Sequence, residues 1–583
     1  MKQIVIENPI INSPFLEPKR HFRFDDDGIT NDIIETRRIS QSFVPIAKPK
    51  KRGKQLDLDL GVLSQDRVER NKFINDIRER VSLWRQGGYR SAVNITPITR
   101  RLLEYWQNPE RERRLFFCQI EALETLIYIT EIAKKSGDDW IINQLNQYKD
   151  AANPKLFRMG TKMATGSGKT VVMSMVIAWH TLNKVANPRR REFSSAFLIV
   201  TPGITIRDRL GVLQPNNPEN YYQKLDLVPP DLRGDLGKAK IVITNYHAFK
   251  LREKTNAASL TKKILNYKKN HSAFTETPSQ MVRRVCRDFD TKKNIIVIND
   301  EAHHCYRRRE NGDEPKYKGE DKKEAQNNQK QAQLWISGIE AIEKKLGVKT
   351  VYDLSATPFY LKGSGYTEGT LFPWVVSDFS LIDAIESGIV KIPRVPVSDD
   401  SMKGELPTYR NIWALIRDHL PKKGRKSKET EPSTPEPKLP KELEGALLTL
   451  YSNYEKSYQQ WSENTEAIAK GLTPPVFIVV CNNTSVSKMV FDWIAGWDTQ
   501  KTHTNGKSVL APGKLPQFSN VQEGLWTPRP NTILVDSQQL ESGESLTCEF
   551  KKLAAQEIEE FKAEYKVVNH YGDEVLKVYE LPQ

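Results

Sequence analysis

The sequence predicts an α/β fold built on a doubly wound parallel sheet, and two observations support this prediction. Four short segments rich in Val and Ile are continuous rather than alternating in hydrophobicity: AFLIVT (196–201), KIVITN (240–245), NIIVIN (294–299) and TVYDLS (350–355). Such runs are typical of central parallel strands, which are buried on both faces. The segments between them are long enough to form the helical crossovers that parallel strands require.

The chain has 583 residues, which is too long for a single hydrophobic core. We expect a second α/β lobe, because PVFIVVCNNTSVSKMVFDWIAGW (475–497) is typical of a strand, a turn and a helix, and NTILVDS (531–537) of another strand. Before them, PKKGRKSKETEPSTPEPKLP (421–440) is too rich in proline and charge to pack a core. The predicted parts are an N-terminal extension (1–95), a first lobe (96–395), a linker (396–470) and the start of an incomplete second lobe (471–583).

Composition indicates a basic protein of a reducing compartment. The formal net charge of +15 favours a polyanionic partner, with nucleic acid ahead of a membrane surface. The five cysteines form no CxxC pair, which argues against a disulfide framework. His303, His304 and Cys305 are adjacent, which is poor spacing for tetrahedral zinc chelation. No apolar stretch is long enough to span a bilayer and the first residues lack a signal-peptide pattern, so we expect a cytoplasmic protein without a membrane partner.

The segment KMATGSGKT (162–170) has the pattern of a loop that binds the phosphates of ATP. Gly166 and Gly168 allow backbone angles and a close approach that a Cβ would prevent. Together with Thr165 and Ser167, they would direct backbone N–H groups towards the phosphates, at the N-terminus of the helix that follows. The first glycine of the full G-x-x-x-x-G-K-[ST] pattern would fall at Met163, so the match is limited to the GxGKT core.

Four further side chains would complete the chemistry of ATP hydrolysis. Lys169 offers a cation to the β and γ phosphates, and the Thr170 hydroxyl is a ligand for Mg²⁺. Asp300 and Glu301 follow the apolar run NIIVIN, where adjacent carboxylates are costly unless they face a metal or solvent. Asp300 would hold Mg²⁺, and Glu301 would orient and deprotonate the attacking water. The alternative is that the Asp-Glu pair only caps the next helix.

Two other segments extend this prediction. DLSATPFY (353–360) ends the fourth apolar run, and it offers the short hydroxyl side chains of Ser355 and Thr357 at the strand end. RLFFCQIEALETL (114–126) contains Gln119, whose amide could read an adenine edge or could simply be a surface group.

The order of these motifs resembles that of superfamily 2 helicases. Their sequences are most similar to those of the Res subunit of type III restriction enzymes. The helicase motifs are MATGSGKT, IVTPGITIRDRL, VITNYHAF, NDEAHHCY and LSATPF. Further segments similar to the restriction subfamily are ENPIINSPF, LFFCQIEALET, GSGYTEGTLFPWVVSDF and ILVDSQQLESGE.

This resemblance implies a RecA-like ATPase lobe with ATP and Mg²⁺ as cofactors, in which Asp300 and Glu301 form the Walker B pair. It also implies that His303, Ser355 and Thr357 couple the nucleotide state to lobe movement. TPGITIRDRL (201–210) lies where such proteins grip one nucleic-acid strand, with Arg207 and Arg209 as candidates for phosphate contacts. The implied partners are duplex DNA, bound without sequence preference, and a methyltransferase subunit that reads the target.

The resemblance is incomplete towards the end of the chain. The family uses arginines of the second lobe at the γ-phosphate, but only Arg529 follows Val476 here, and it lies between two prolines. No nuclease carboxylate site with a lysine is evident either. We therefore expect a truncated or split protein that hydrolyses ATP feebly by itself and needs a separate helicase–nuclease polypeptide. Two alternatives stay open, an RNA helicase and a nucleic-acid-binding remnant that binds ATP without efficient turnover.

Overall fold

The structure is a computed structural model, and it divides the chain into two compact units, residues 1–392 and 393–583, each described here by itself. It describes residues 6, 8–25, 28–43, 68–90, 95–252, 275–289, 292–309, 317, 319–391, 412, 416–417, 419–420, 437–469, 473–481, 484–502, 508–535, 566–568 and 574–576. Of the predicted linker (396–470), the proline-rich part from 421 to 436 lies outside the described residues, whereas residues 437–469 are described.

The first unit contains two small antiparallel pairs and one large parallel sheet. The strands of the pairs are β1 (His21–Asp25) with β2 (Gly28–Ile34) and β3 (Gln41–Phe43) with β4 (Val68–Arg70). The strands of the sheet are β5 (Arg158–Met163), β6 (Ala196–Thr201), β7 (Lys240–Asn245), β8 (Ile295–Asp300), β9 (Val348–Ser355) and β10 (Val375–Phe379).

All six strands of this sheet are parallel, in the order β10-β5-β9-β8-β6-β7. The four predicted apolar strands are confirmed as β6, β7, β8 and β9, and β6 and β8 are buried along their whole length. The predicted α/β class and first lobe architecture are thereby confirmed. Strands β5 and β10 were not predicted, because Arg158, Lys162 and Asp378 interrupt their apolar pattern.

Helices surround the sheet. Those of eight residues or more are Lys72–Gln86, Pro97–Gln107, Phe117–Ile127, Asp139–Ala152, Lys169–Ala186, Pro278–Val285 and Gly319–Leu346. Shorter α-helices are Ile204–Arg209, Tyr221–Lys224, Arg233–Leu236 and Leu381–Glu386. The helix Lys169–Ala186 is the one predicted after the glycine loop, and its residues from Val172 to Asn183 are all buried. Among the residues that the structure describes, no helix combines the length and apolar character needed to cross a bilayer.

A buried ionic network joins the strands beneath their carboxyl ends. Arg158 of β5 donates from Nε to Asp353 Oδ2 of β9 at 2.7 Å, and both side chains are 1% exposed. Asn299 of β8 and the Trp374 indole also donate to Asp353, each at 2.8 Å. Arg158 further donates to the Cys305 carbonyl at 2.8 Å. The Asp353 carboxylate therefore accepts hydrogen bonds from β5, from β8 and from Trp374, which precedes β10. These bonds fix the relative position of the three segments.

We expect Asp353→Ala to destabilise the first unit by about 3–5 kcal/mol, because it leaves the Arg158 charge buried without a counter-ion. The matched control is Asp231→Ala, which removes a two-bond pair with Arg101 at 2.6 and 2.7 Å on the exposed surface. An exposed pair contributes about 0–1 kcal/mol. Urea unfolding of both variants measures the difference, and equal losses would contradict the structural importance of the buried network.

The second unit contains helices and antiparallel hairpins. Its helices are Lys441–Glu463, Thr465–Ala469 and Thr484–Ala495. Its paired strands are Gly496–Thr502 with Ser508–Pro512, Val521–Gln522 with Leu525–Trp526, and Lys566–Val568 with Glu574–Leu576. Its described residues form no parallel sheet, so the incomplete second lobe stays a prediction.

The strands predicted at 475–481 and 531–537 are wrong as far as the structure describes these residues. Residues 473–481 and 531–535 have no strand assignment. The apolar side chains of the first segment are largely solvent-exposed, with 75% exposure at Val476, 77% at Ile478 and 91% at Val480. The physical reason is that a β-strand needs a hydrogen-bonded neighbour, which no described residue supplies to these segments. The helix predicted after the first segment is confirmed as Thr484–Ala495.

Candidate functional site

The predicted site residues follow three strands that are neighbours in the sheet. The glycine loop follows β5, Asp300 ends β8, and Ser355 ends β9, and the sheet order places these strands side by side as β5-β9-β8. Parallel strands present their carboxyl ends at one edge, about 4.8 Å apart from strand to strand. The three motifs thus meet at the carboxyl edge, where open α/β sheets bind ligands.

The two glycines of the glycine loop occupy backbone positions that favour glycine. Gly166 and Gly168 have φ values of 84° and 93°, in the left-handed region that favours glycine. A Cβ at Gly168 would lie 2.2 Å from Gln119 Nε2, so a side chain there would collide with its neighbour. The turn is closed by Ser167, whose N–H and hydroxyl both donate to the Ala164 carbonyl, at 3.2 and 2.7 Å. Thr165 is exposed beside this turn.

Gln119 is held against the glycine loop. Its Nε2 donates to the Ser167 carbonyl at 3.0 Å, and its Oε1 accepts from the Phe116 N–H at 3.0 Å. The side chain is only 4% exposed. Gln119 therefore ties the helix Phe117–Ile127 to the loop, and its predicted contact with adenine stays a prediction.

The N-terminal extension anchors that same helix. Arg37 donates two hydrogen bonds to Glu121, at 2.6 and 2.5 Å, and the Phe117 N–H donates to the Pro14 carbonyl at 2.8 Å. Burial would raise the pKa of Glu121, but the Arg37 guanidinium outweighs it and lowers that pKa to about 2. The sequence did not indicate any role for residues 1–95, whereas the structure packs part of them against the helix that contacts the loop.

The acidic pair at the end of β8 has a strained backbone. Glu301 has φ 49° and ψ 50°, which is rare for a residue other than glycine, and its N–H donates to Asp300 Oδ1 at 3.1 Å. Such strain is found mostly at functional sites. Lys169 Nζ lies 3.5 Å from Glu301 Oε1, so the loop lysine faces the candidate base.

Asp300 is nearly buried, with 8% of its surface exposed. Burial and the neighbouring Glu301 charge raise the pKa of Asp300 to about 6, while Lys169 and Arg209 act in the opposite direction. The nearby cations therefore do not balance the negative charge of the two carboxylates. Such an excess of negative charge favours the binding of a divalent cation.

Thr170 and Asp300 are the predicted ligands of a magnesium ion, and both offer oxygen atoms. A hydroxyl and a carboxylate are oxygen ligands, and protein-bound Mg²⁺ usually takes only one or two such groups and completes its shell with water and substrate phosphates. The described residues contain no group of three or more His, Cys, Asp or Glu placed to hold a metal.

His303 connects the acidic pair with the end of β9. His303 Nδ1 and Ser355 Oγ share a hydrogen bond of 2.9 Å, and the Thr357 N–H donates to Ser355 Oγ at 3.1 Å. Burial, with help from His304 and Lys169, lowers the pKa of His303 to about 3. The imidazole is therefore neutral at pH 7, and its 3.5 Å approach to Glu301 is not an ion pair. The predicted coupling residues are in contact, and their role stays a prediction.

Arg207 and Arg209 lie on the short helix Ile204–Arg209 that follows β6. Arg209 is exposed, and its positive charge partly opposes the rise in the pKa of Asp300.

Arg158 and Asp353 form the buried ion pair that joins β5 to β9, and the sequence analysis did not identify them. Each of the two is a charged residue within an otherwise strand-like segment. This could have indicated a buried ion pair, because a buried charge needs a partner.

A six-stranded parallel sheet flanked by helices, with these motifs at its carboxyl edge, defines a RecA-like lobe. Residues 114–360 match the family model described as type III restriction enzyme, res subunit, so this segment is a domain of a helicase-like ATPase family. The match covers less than half of the chain. Comparisons with curated proteins and with solved structures gave no match.

Proposed function

We propose that this protein is the ATP-dependent DNA translocase or helicase subunit of a type III-like restriction–modification system. The observation that supports it most is the meeting of Lys169, Glu301 and Ser355 at adjacent strand ends, inside the segment that matches the res-subunit family. ATP and Mg²⁺ are the proposed cofactors.

Each site residue has a proposed task in ATP hydrolysis. The N–H groups from Thr165 to Lys169 and the Lys169 ammonium would bind the phosphates, and Thr170 and Asp300 would hold Mg²⁺. Bound magnesium would neutralise charge on the β and γ phosphates. Glu301 would accept a proton from the attacking water. Because Lys169 now faces Glu301 at 3.5 Å, a triphosphate would draw the lysine away and leave the carboxylate available as a base.

The nucleotide state would be transmitted by His303, Ser355 and Thr357. Hydrogen bonds among these residues link the loop after Glu301 to the end of β9. Arg207 and Arg209 would contact DNA phosphates. The proposed partners are duplex DNA and a methyltransferase subunit for target recognition. The proposed location is the cytoplasm.

Two other functions compete with this proposal. An RNA helicase has the same ATPase motifs, and positive charge does not distinguish DNA from RNA. The other is a nucleic-acid-binding remnant that binds ATP without efficient turnover.

We expect duplex DNA to stimulate ATP hydrolysis more than duplex RNA of the same sequence does. Steady-state ATPase assays with each polymer and without nucleic acid measure this directly. Greater stimulation by RNA would favour the RNA helicase. Absence of turnover, with ATP binding intact, would favour the remnant.

Binding of duplex DNA should weaken steeply as salt increases, because lysines and arginines displace counter-ions from the phosphates. The net charge of +15 motivates this expectation. Fluorescence anisotropy with a labelled duplex at several salt concentrations gives the slope of log K against log [salt]. A flat plot would count against a phosphate-tracking surface.

A further inference from the structure

A basic cleft of about 800 Å³ lies at the amino edge of the large sheet. Lys292 and Lys293 lie three and two residues before β8, and Lys238 lies two residues before β7. Ser195 directly precedes β6, and Lys349 is the second residue of β9. Because all these strands are parallel, their amino ends share one edge, which is opposite to the edge with the glycine loop and Glu301. The cleft is therefore separate from the nucleotide site.

The charge of the cleft is of one sign. No Asp or Glu is among its lining residues, and the cations that line it are Lys184, Arg191, Lys238, Lys292, Lys293 and Lys349. Like charges lining one cleft repel each other, and such a concave surface focuses a positive potential that attracts polyanions.

Two of the cations are engaged within the fold. Lys184, in the last turn of the helix Lys169–Ala186, donates to the carbonyls of Pro188 and Arg190 in the segment that follows the helix, each at 2.8 Å. Lys238 pairs with Asp235 at 2.7 Å. Lys184 therefore fixes the segment after the helix, and its charge is also favourable at the negative end of the helix dipole.

The other four cations, Arg191, Lys292, Lys293 and Lys349, are exposed and form no ion pair with any residue that the structure describes. Lys349 is also placed by a backbone irregularity. Ile295 pairs with Val348 and Ile296 with Thr350, so Lys349 is an extra residue that opposes no partner on β8. Such a bulge redirects a side chain, and bulges are frequent beside functional sites.

The spacing of the strands sets the length of this charged row. Strands β9, β8, β6 and β7 are successive neighbours, so their amino ends span three inter-strand distances, or about 14 Å. Each strand of duplex DNA has one phosphate charge per about 3.4 Å of the helix axis, so about four phosphates of one strand pass along such a row. The length and sign of the row match a nucleic-acid backbone and not a single small anion.

We propose that this amino-edge cleft is a second binding site for the phosphate backbone of duplex DNA. It goes beyond the proposed function, which places DNA near Arg207 and Arg209 at the opposite edge. The contacts would be to phosphate alone, so they hold DNA without reading its sequence. The cleft would keep a second stretch of the duplex on the protein while the carboxyl edge changes its nucleotide state.

The test compares two adjacent lysine pairs with the same change in charge. The first variant is Lys292→Glu with Lys293→Glu, and the matched control is Lys134→Glu with Lys135→Glu, an exposed pair that does not line the cleft. Anisotropy with a labelled duplex gives the affinity and the salt slope for each full-length variant. Loss of two phosphate contacts lowers the slope by about 1.8 and weakens binding about 10- to 100-fold near 0.1 M salt.

We expect both losses in the cleft variant. In the control, we expect the salt slope to change by less than a third of the change in the cleft variant. Equal losses in both variants, or no loss in either, would overturn the proposal, because net charge alone would then explain the binding. A titration with fluorescent ATP, expected to be unchanged, verifies that the cleft variant is folded. Loss of binding to phosphatidylserine vesicles with unchanged DNA binding would assign the cleft to a membrane and also overturn the proposal. Arg207→Ala with Arg209→Ala, assayed in parallel, tests the carboxyl-edge contacts separately.

Discussion

We expect Glu301→Gln to reduce ATP hydrolysis by about 10²- to 10⁴-fold while ATP·Mg²⁺ binding is retained. The reason is that a general base contributes to the rate by this factor, and the amide cannot accept the proton of the attacking water. Binding should not weaken, because Lys169 Nζ, 3.5 Å from Glu301 Oε1, loses its only close carboxylate among the described ion pairs and stays available to the triphosphate.

The measurement is single-turnover hydrolysis of labelled ATP with protein in excess and saturating duplex DNA, which also resolves slow turnover. Glu79→Gln, at an exposed position of the helix Lys72–Gln86, is the matched control and should hydrolyse ATP at the unmodified rate. Normal turnover with weaker nucleotide binding in Glu301→Gln would contradict the role assigned to this carboxylate.

Lys169→Ala should weaken triphosphate binding by about 10- to 150-fold without unfolding the protein. Hydrogen bonds to charged groups contribute about 1.5–3 kcal/mol each, and this range corresponds to the stated change in Kd. The fold should persist, because the Lys169 side chain reaches out of the helix Lys169–Ala186 towards Glu301 and does not enter the apolar core.

Titration of a fluorescent ATP analogue with and without Mg²⁺ measures this effect, and urea unfolding verifies stability. The control is Lys322→Ala, an exposed lysine on the helix Gly319–Leu346, which should bind as the unmodified protein does. Unchanged affinity in Lys169→Ala would refute the assignment of the glycine loop to phosphate binding.

The two substitutions also distinguish the competing functions. An ATP-driven translocase loses binding in Lys169→Ala and turnover in Glu301→Gln. A remnant that only binds ATP responds to the first substitution and has no turnover for the second to remove. The buried pair of Arg158 and Asp353 offers a third comparison, since its loss should change stability before it changes chemistry.

Much of the first unit follows from local pattern. Strands β6 to β9 and the helix Lys169–Ala186 were predicted, because continuous Val and Ile runs and an uninterrupted helical stretch are local properties of the chain. The glycine loop was predicted for the same reason, since positive φ at Gly166 and Gly168 depends on residue type.

Other features depend on partners that are distant in sequence. Strand β5 was not predicted because it contains Arg158. This arginine is buried because it pairs with Asp353, which lies 195 positions away in the sequence. Residues 475–481 show the converse, since a strand-like composition forms no strand when no neighbouring strand pairs with it. Local composition therefore reports what a segment is able to form, and pairing decides whether it does.

From the residues alone, the chain is an α/β protein with a glycine loop that is predicted to bind phosphate, an acidic strand end and a basic net charge. These properties reside in residue types and short spacings, so they are readable before folding. Only the tertiary structure decided that β5, β9 and β8 are neighbours and that Gln119 holds the loop. It also gathered Lys292, Lys293 and Lys349 at the amino edge. Strand order and long-range ion pairs depend on which distant surfaces exclude water together, and no short segment encodes that.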